Sequence, residues 1–185
     1  MQDDRTENYY IETFNKYLEK ATKAIAESYF ELPVDGSDDP IYRERVYCYE
    51  LYHQLRKTFK DYNWYKLYGE VDKTGHPLLP GDYKPDFIIH NPGDMDTNLA
   101  IIEVKPIIAT RAEMEKDLIK LEFFLEKGNY YAGILLVYAW NQDSYKKILN
   151  LMDSRKEKNR KIHIFLHIGY KKEIYSSNFL IKPPK

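Results

Sequence analysis

Residues 131–140, Tyr-Ala-Gly-Ile-Leu-Leu-Val-Tyr-Ala-Trp, form an unbroken apolar run rich in β-forming residues and free of charge. A strand with one wet face alternates apolar and polar side chains. A run without a polar phase marks a strand buried on both faces. The rest of the chain must therefore supply further strands beside it and helices across it.

Tyr10, Phe14, Tyr17, Leu18, Ala21 and Ile25 recur at helical spacing and predict a helix over residues 8–30. The stretch 32–40, with Pro33, Gly36 and Pro40, reads as a loop. Residues 1–40 are thus expected as a helix and loop appended to a core that begins near Ile41, all within one domain, 1–185. Cys48, Leu51, Tyr52, Leu55 and Phe59 form the apolar stripe of a second helix over 41–59. Strands are expected at 65–71, 86–90, 99–105, 131–140 and 161–169, and helices at 112–127 and 144–158. Three successive strands followed by helix–strand alternation predict an α/β fold, a central mixed β-sheet flanked by helices.

Composition narrows the function. The formal net charge is −1, so bulk charge does not announce a nucleic-acid partner. The basic stretches at 155–161, Lys171-Lys172 and 182–185 are the candidate local patches for such a partner, and read first as solvated charge runs. Eighteen tyrosines suit core edges and base-stacking surfaces alike. Cys48 is the single cysteine, which excludes an internal disulfide and fits a reducing, cytoplasmic compartment. No window approaches a membrane span, and the acidic, polar start predicts no leader. Scattered histidines give no zinc spacing, and no glycine-rich phosphate loop points to an NTPase.

Two of the apolar strands carry charge at their ends. Asp86 follows Pro85 and opens Phe87-Ile88-Ile89, while Glu103 and Lys105 close Ile101-Ile102-Glu103-Val104-Lys105. Side chains two apart on a strand share a face, so Glu103 and Lys105 project together and Val104 turns into the core. Unpaired charge is costly to bury, so these groups need one another or a metal. Hard oxygen ligands suit Mg²⁺ or Mn²⁺, with Asp86 and Glu103 as ligands and the Val104 carbonyl as a third. Lys105 would then stabilise charge on phosphoryl oxygens or orient the attacking water.

Pro85-Asp86 followed by Glu103-Val104-Lys105 resembles the PD-(D/E)xK, or restriction-endonuclease-like, nuclease superfamily. The resemblance covers roughly Glu44 to Tyr138. It implies a restriction-endonuclease-like core, a Mg²⁺- or Mn²⁺-dependent phosphodiesterase acting on DNA, and a setting in defence or mobile-element biology. It also implies a glutamate from the preceding helix. Glu50 looks most like that acid and is favoured, although Glu44 lies on the Cys48/Leu55 stripe and Glu50 nearly opposite it. Glu70 is a further metal-ligand candidate at the end of the preceding strand. His76, Asp82, His90 and Asp94 lie on nearby loops. Asp117, Lys120 and Glu122 sit on the helix after the motif. Lys120 could reach the site, as polar residues there do in some relatives, but reads first as an ordinary exposed lysine, and Trp64 and Trp140 read as core or edge aromatics. A nuclease this small is expected to use a homodimer or a partner subunit to choose its site. The alternatives are a nuclease-fold binding or interaction module without turnover in a larger assembly, and an α/β domain whose Glu103/Lys105 pair is a surface ion pair.

Overall fold

The computed structural model describes residues 4–59, 65–72, 74, 79, 81, 83–140, 148, 150, 151 and 161–176. Its elements are α1 (Asp4–Lys23), α2 (Glu44–Thr58), β1 (Lys66–Gly69), β2 (Phe87–His90), β3 (Asn98–Pro106), α3 (Arg111–Lys127), β4 (Tyr130–Ala139), β5 (Ile162–Ile168) and β6 (Glu173–Ser176). The six strands form one sheet in the order β1-β2-β3-β4-β5-β6. β3, β4 and β5 run parallel to one another, and the β1/β2, β2/β3 and β5/β6 pairs are antiparallel. The chain is therefore an α/β fold with a mixed sheet flanked by helices.

The apolar run at 131–140 lies in β4, in the middle of the sheet, and is covered from both sides. Ala132, Ile134, Leu136 and Tyr138 join the cluster under α1 and α2, while Leu135, Val137 and Ala139 join the cluster under α3. β3 follows the same alternation: Ala100, Ile102 and Val104 face α1 and α2, and Ile101 faces α3. α1 was expected as an addition to the core but contributes to it directly, with Phe14 and Leu18 fully buried beside Leu51 and Leu55 of α2.

Local chemistry explains where elements begin and end. At the start of α3 the Thr110 hydroxyl accepts from the Glu113 N–H at 3.2 Å, and the Glu113 carboxylate accepts from the Thr110 N–H at 2.7 Å. This reciprocal cap satisfies two otherwise orphaned donors. At its end the Gly128 N–H donates to the Phe124 carbonyl, and a Cβ on Gly128 would sit 2.8 Å from that oxygen. Asn129 then takes the left-handed conformation, φ 53°.

The expected helix over 8–30 stops at Lys23, and a short 3₁₀ turn spans Glu27–Tyr29. Phe30 is the reason. It is fully buried against Tyr47, Trp140 and His167, and that burial outweighs the helix propensity of the segment before it. α2 begins at Glu44 rather than near Ile41, because the Ile41 and Leu32 backbones pair through an antiparallel bridge. β6 was not foreseen from sequence. The helix expected at 144–158 lies mostly outside the described residues, of which 148, 150 and 151 are helical.

Gly169, just past β5, is hemmed in by the same aromatic cluster. A Cβ there would lie 2.6 Å from Phe30 Cζ and 2.6 Å from Trp140 Cε3. Overpacking of this kind costs about 1–3 kcal/mol. Gly169→Ala is expected to lower the melting temperature by roughly 2–4 °C per kcal/mol lost. An unchanged thermal midpoint would show that Phe30 and Trp140 give way freely.

Candidate active site

β2 and β3 bring the charged strand ends together. Their antiparallel register pairs Phe87 with Ile102, so one residue further on Asp86 stands opposite Glu103. Opposed residues in such a pair hold their Cβ atoms roughly 4.5–5.5 Å apart. Asp86 lies just outside β2, and its carboxylate takes the place of the next ladder partner: Oδ2 accepts from the Val104 N–H at 2.7 Å. The N–H and C=O of one strand residue point to the same side. The Val104 carbonyl is thus directed to the same side as Asp86.

Glu103 and Lys105 project on the α3 side, and Val104 is fully buried beneath α1 and α2. Glu103 is 2 % exposed, with Lys120 Nζ of α3 2.7 Å from its Oε1. That contact is an ion pair without hydrogen-bond alignment, and Oε1 keeps no aligned donor among the described residues. Lys120 Nζ also donates to the Lys84 carbonyl at 3.3 Å. Lys105 Nζ donates to Glu44 Oε2 at 2.8 Å and lies 3.4 Å from Asp117 Oδ2. Asp117, on α3, is buried, and its Oδ2 likewise lacks an aligned donor.

The electrostatics follow from this crowding. Burial, then the Asp86 charge, pushes the Glu103 carboxyl up to about 8 despite Lys120. Burial raises Asp86 to about 6, the Glu44 carboxylate adding to the shift while the Val104 N–H opposes it. Asp117 is raised by burial, with Lys105 opposing. Burial alone would lower the Lys105 ammonium, but Glu44, Asp117 and Asp86 outweigh it and hold the group firmly charged.

Of the two helix acids, Glu44 reaches the site and Glu50 does not. Glu50 accepts from Gln54 on its own helix at 2.6 Å. Glu44 shares the inward side of α2 with Cys48, Leu51 and Leu55 and is carried to Lys105, whereas Glu50 sits on the other side of the helix. Glu70 sits at the site's rim rather than on the Asp86/Glu103 pair. Its φ is 48°, and it binds Lys84 Nζ at 2.9 Å and Arg45 Nε at 3.1 Å. The Lys84 hydrogen bond, with Arg45 adding, lowers its carboxyl below the usual range. Glu44, Cys48, Glu70, Lys84 and Asp86 line a cavity of about 140 Å³. Burial pushes the Cys48 thiol well up, so it stays protonated and offers no thiolate.

His90 lies at the far end of β2 against Tyr68, and Asp94 caps a 3₁₀ turn by accepting from the Asp96 N–H. Neither reaches the site. Trp140 packs on Phe30 in the core. His76, Asp82 and Trp64 lie outside the described residues. Lys120, read from sequence first as an exposed lysine, lies 2.7 Å from Glu103, and Asp117, given no role there, lies 3.4 Å from Lys105. The signal was present in Asp117, an acid in register with Met114, Leu118 and Leu121 on the buried stripe of α3.

Among the described residues no three His, Cys, Asp or Glu side chains form a closed metal cage. Two adjacent carboxylates and one carbonyl fit an ion that keeps several waters, which is the habit of Mg²⁺ and not of zinc. Among the described residues no helix is long and apolar enough to cross a membrane. Compared with known proteins, the chain matches no family model, no curated protein and no solved structure.

Proposed function

We propose that this chain is a metal-dependent nuclease of the PD-(D/E)xK type, with a restriction-endonuclease-like core running from α2 to β4. The observation that carries this reading is the opposition of Asp86 and Glu103 across β2 and β3, with Lys105 held beside them. The order helix, three strands, helix, strand supports it, as does the helix acid Glu44 on Lys105.

Asp86, Glu103 and the Val104 carbonyl would hold Mg²⁺ or Mn²⁺. The ion, when bound, polarises a phosphoryl group and acidifies a water. Two buried acids that resist joint ionisation are a poor resting arrangement for a metal-free protein and a good one for a dication. Lys105 carries the positive charge that meets developing charge on the phosphoryl oxygens. Glu44 and Asp117 fix its position and keep it protonated.

One observation favours a second reading, a nuclease-fold binding module without turnover: Lys120 already sits against a Glu103 oxygen. Incubation of the protein with plasmid and with single-stranded DNA separates the two. The nuclease reading expects cleavage in Mg²⁺ or Mn²⁺ and none in EDTA, with Mn²⁺ bridging Asp86 and Glu103 in soaked crystals. Absence of cleavage in every metal would overturn it in favour of the binding module.

A further inference from the structure

A groove of about 700 Å³ opens beside the acids, continuous with them through Lys105, Asp117 and Lys120. Its volume lies within the range of roughly 300–1,000 Å³ of ligand sites. Its chemistry is divided. One wall is apolar and partly open: Tyr83 stacks on Phe123 with ring centroids 4.6 Å apart, and Ile119, one helical turn before Phe123, is 62 % exposed. The rest of the lining carries lysines beside Glu113 and Asp117: Lys84 and Lys116 are exposed at its rim and Lys120 lies within, Lys84 paired with Glu70 and Lys120 with Glu103.

We propose that this groove receives a single-stranded nucleic-acid segment, one base lying on the Tyr83–Phe123 face and its phosphates along Lys84, Lys116 and Lys120. Four lysines against two acids on the lining favour a polyanion, which Lys84 and Lys120 meet while shared with Glu70 and Glu103. The aromatic and aliphatic wall selects one whose bases are free. In a duplex the base faces are consumed in stacking, so duplex offers the lysines its backbone and leaves the apolar wall wet. An unpaired strand satisfies both halves, since aromatic stacking accepts any base. Glu113 and Asp117, the acids that also line the groove, stand on α3 beside Lys116 and Lys120 and temper the attraction without reversing it. The inference deepens the nuclease reading, because the groove leads the strand toward Asp86 and Glu103.

The test measures binding apart from cleavage. Fluorescence anisotropy in EDTA compares a labelled oligothymidylate with a blunt duplex of equal length. The expected result is at least about ten-fold tighter binding of the single strand. Phe123→Leu, which keeps apolar volume and removes the ring, is expected to lose about ten-fold on the single strand and nothing on the duplex. Ile119→Glu, at an exposed position outside the core, places a carboxylate on the apolar wall and should weaken both probes, as should Lys116→Glu. Equal or tighter duplex binding, or indifference to both Phe123→Leu and Ile119→Glu, would overturn the proposal. So would sedimentation of the wild type as a dimer that Ile119→Glu dissolves, which assigns the groove to a second copy. Single-strand preference without any metal-dependent cleavage leaves the groove standing and removes the nuclease reading. Cleavage with binding insensitive to the groove variants does the reverse.

Discussion

Glu103→Gln is expected to make the metal-free protein much more stable at pH 9 and only about 1 kcal/mol more stable at pH 5. Glu103 has its folded pKa raised to about 8 by burial and by Asp86. An unfolded glutamate titrates near 4.3. A raised acid favours folding while protonated. Its contribution is complete below about 4.3 and is lost as pH rises through about 8. Glutamine mimics the protonated acid at every pH, so the variant escapes that loss. The difference at pH 9 is of the order of 5 kcal/mol, or about 10–20 °C in melting temperature. His163 and His167, lowered by burial to about 4 and about 3, penalise the acid side and are common to both proteins, so the comparison isolates Glu103. Mn²⁺ should raise the wild-type midpoint at pH 8 through linkage and leave the variant nearly unmoved. Parallel melting curves across pH 5–9 would mean that Glu103 ionises without penalty, and the acid pair would lose its rationale as a metal site.

The second large effect separates the two helix acids. On the nuclease reading, Lys105→Met is expected to lower kcat/KM by about 10³ while Mn²⁺ affinity holds, because the ammonium meets charge that develops during the reaction. Glu44→Gln should cost about 10–100-fold, the usual scale for a residue that orients a functional group. Glu50→Gln should stay within about two-fold, since surface changes away from such contacts have little effect. Steady-state cleavage of one DNA substrate by the three variants reads the order directly. A larger loss in Glu50→Gln than in Glu44→Gln would contradict the placement of α2 against Lys105.

The fold was legible where burial is periodic. The run at 131–140, the alternation around Ile101-Ile102 and the stripe of α3 each announce an element, because one face or both must be dry. β6 was not legible: Glu173–Ser176 is a short edge strand whose order depends on pairing with β5 and on Lys172 taking φ 51° before it. The site was half legible. Strand periodicity alone puts Glu103 and Lys105 on one face, and it cannot say that Asp86 lies opposite Glu103, since register is a property of two strands. Glu44 was visible on the apolar stripe of α2, and the resemblance drew attention to Glu50 instead. Lys120 carries no local signal, since its role depends on α3 crossing β3.

The spread of the site along the chain has a consequence for synthesis. Glu44 and Lys105 are 61 residues apart, and Lys120 and Asp117 come later still. A nascent chain that has emerged only as far as Lys105 carries both acids but lacks the whole of α3. Domains fold as units once their parts are available. A chain that has emerged only that far therefore has no assembled charge cluster, which forms once α3 has docked.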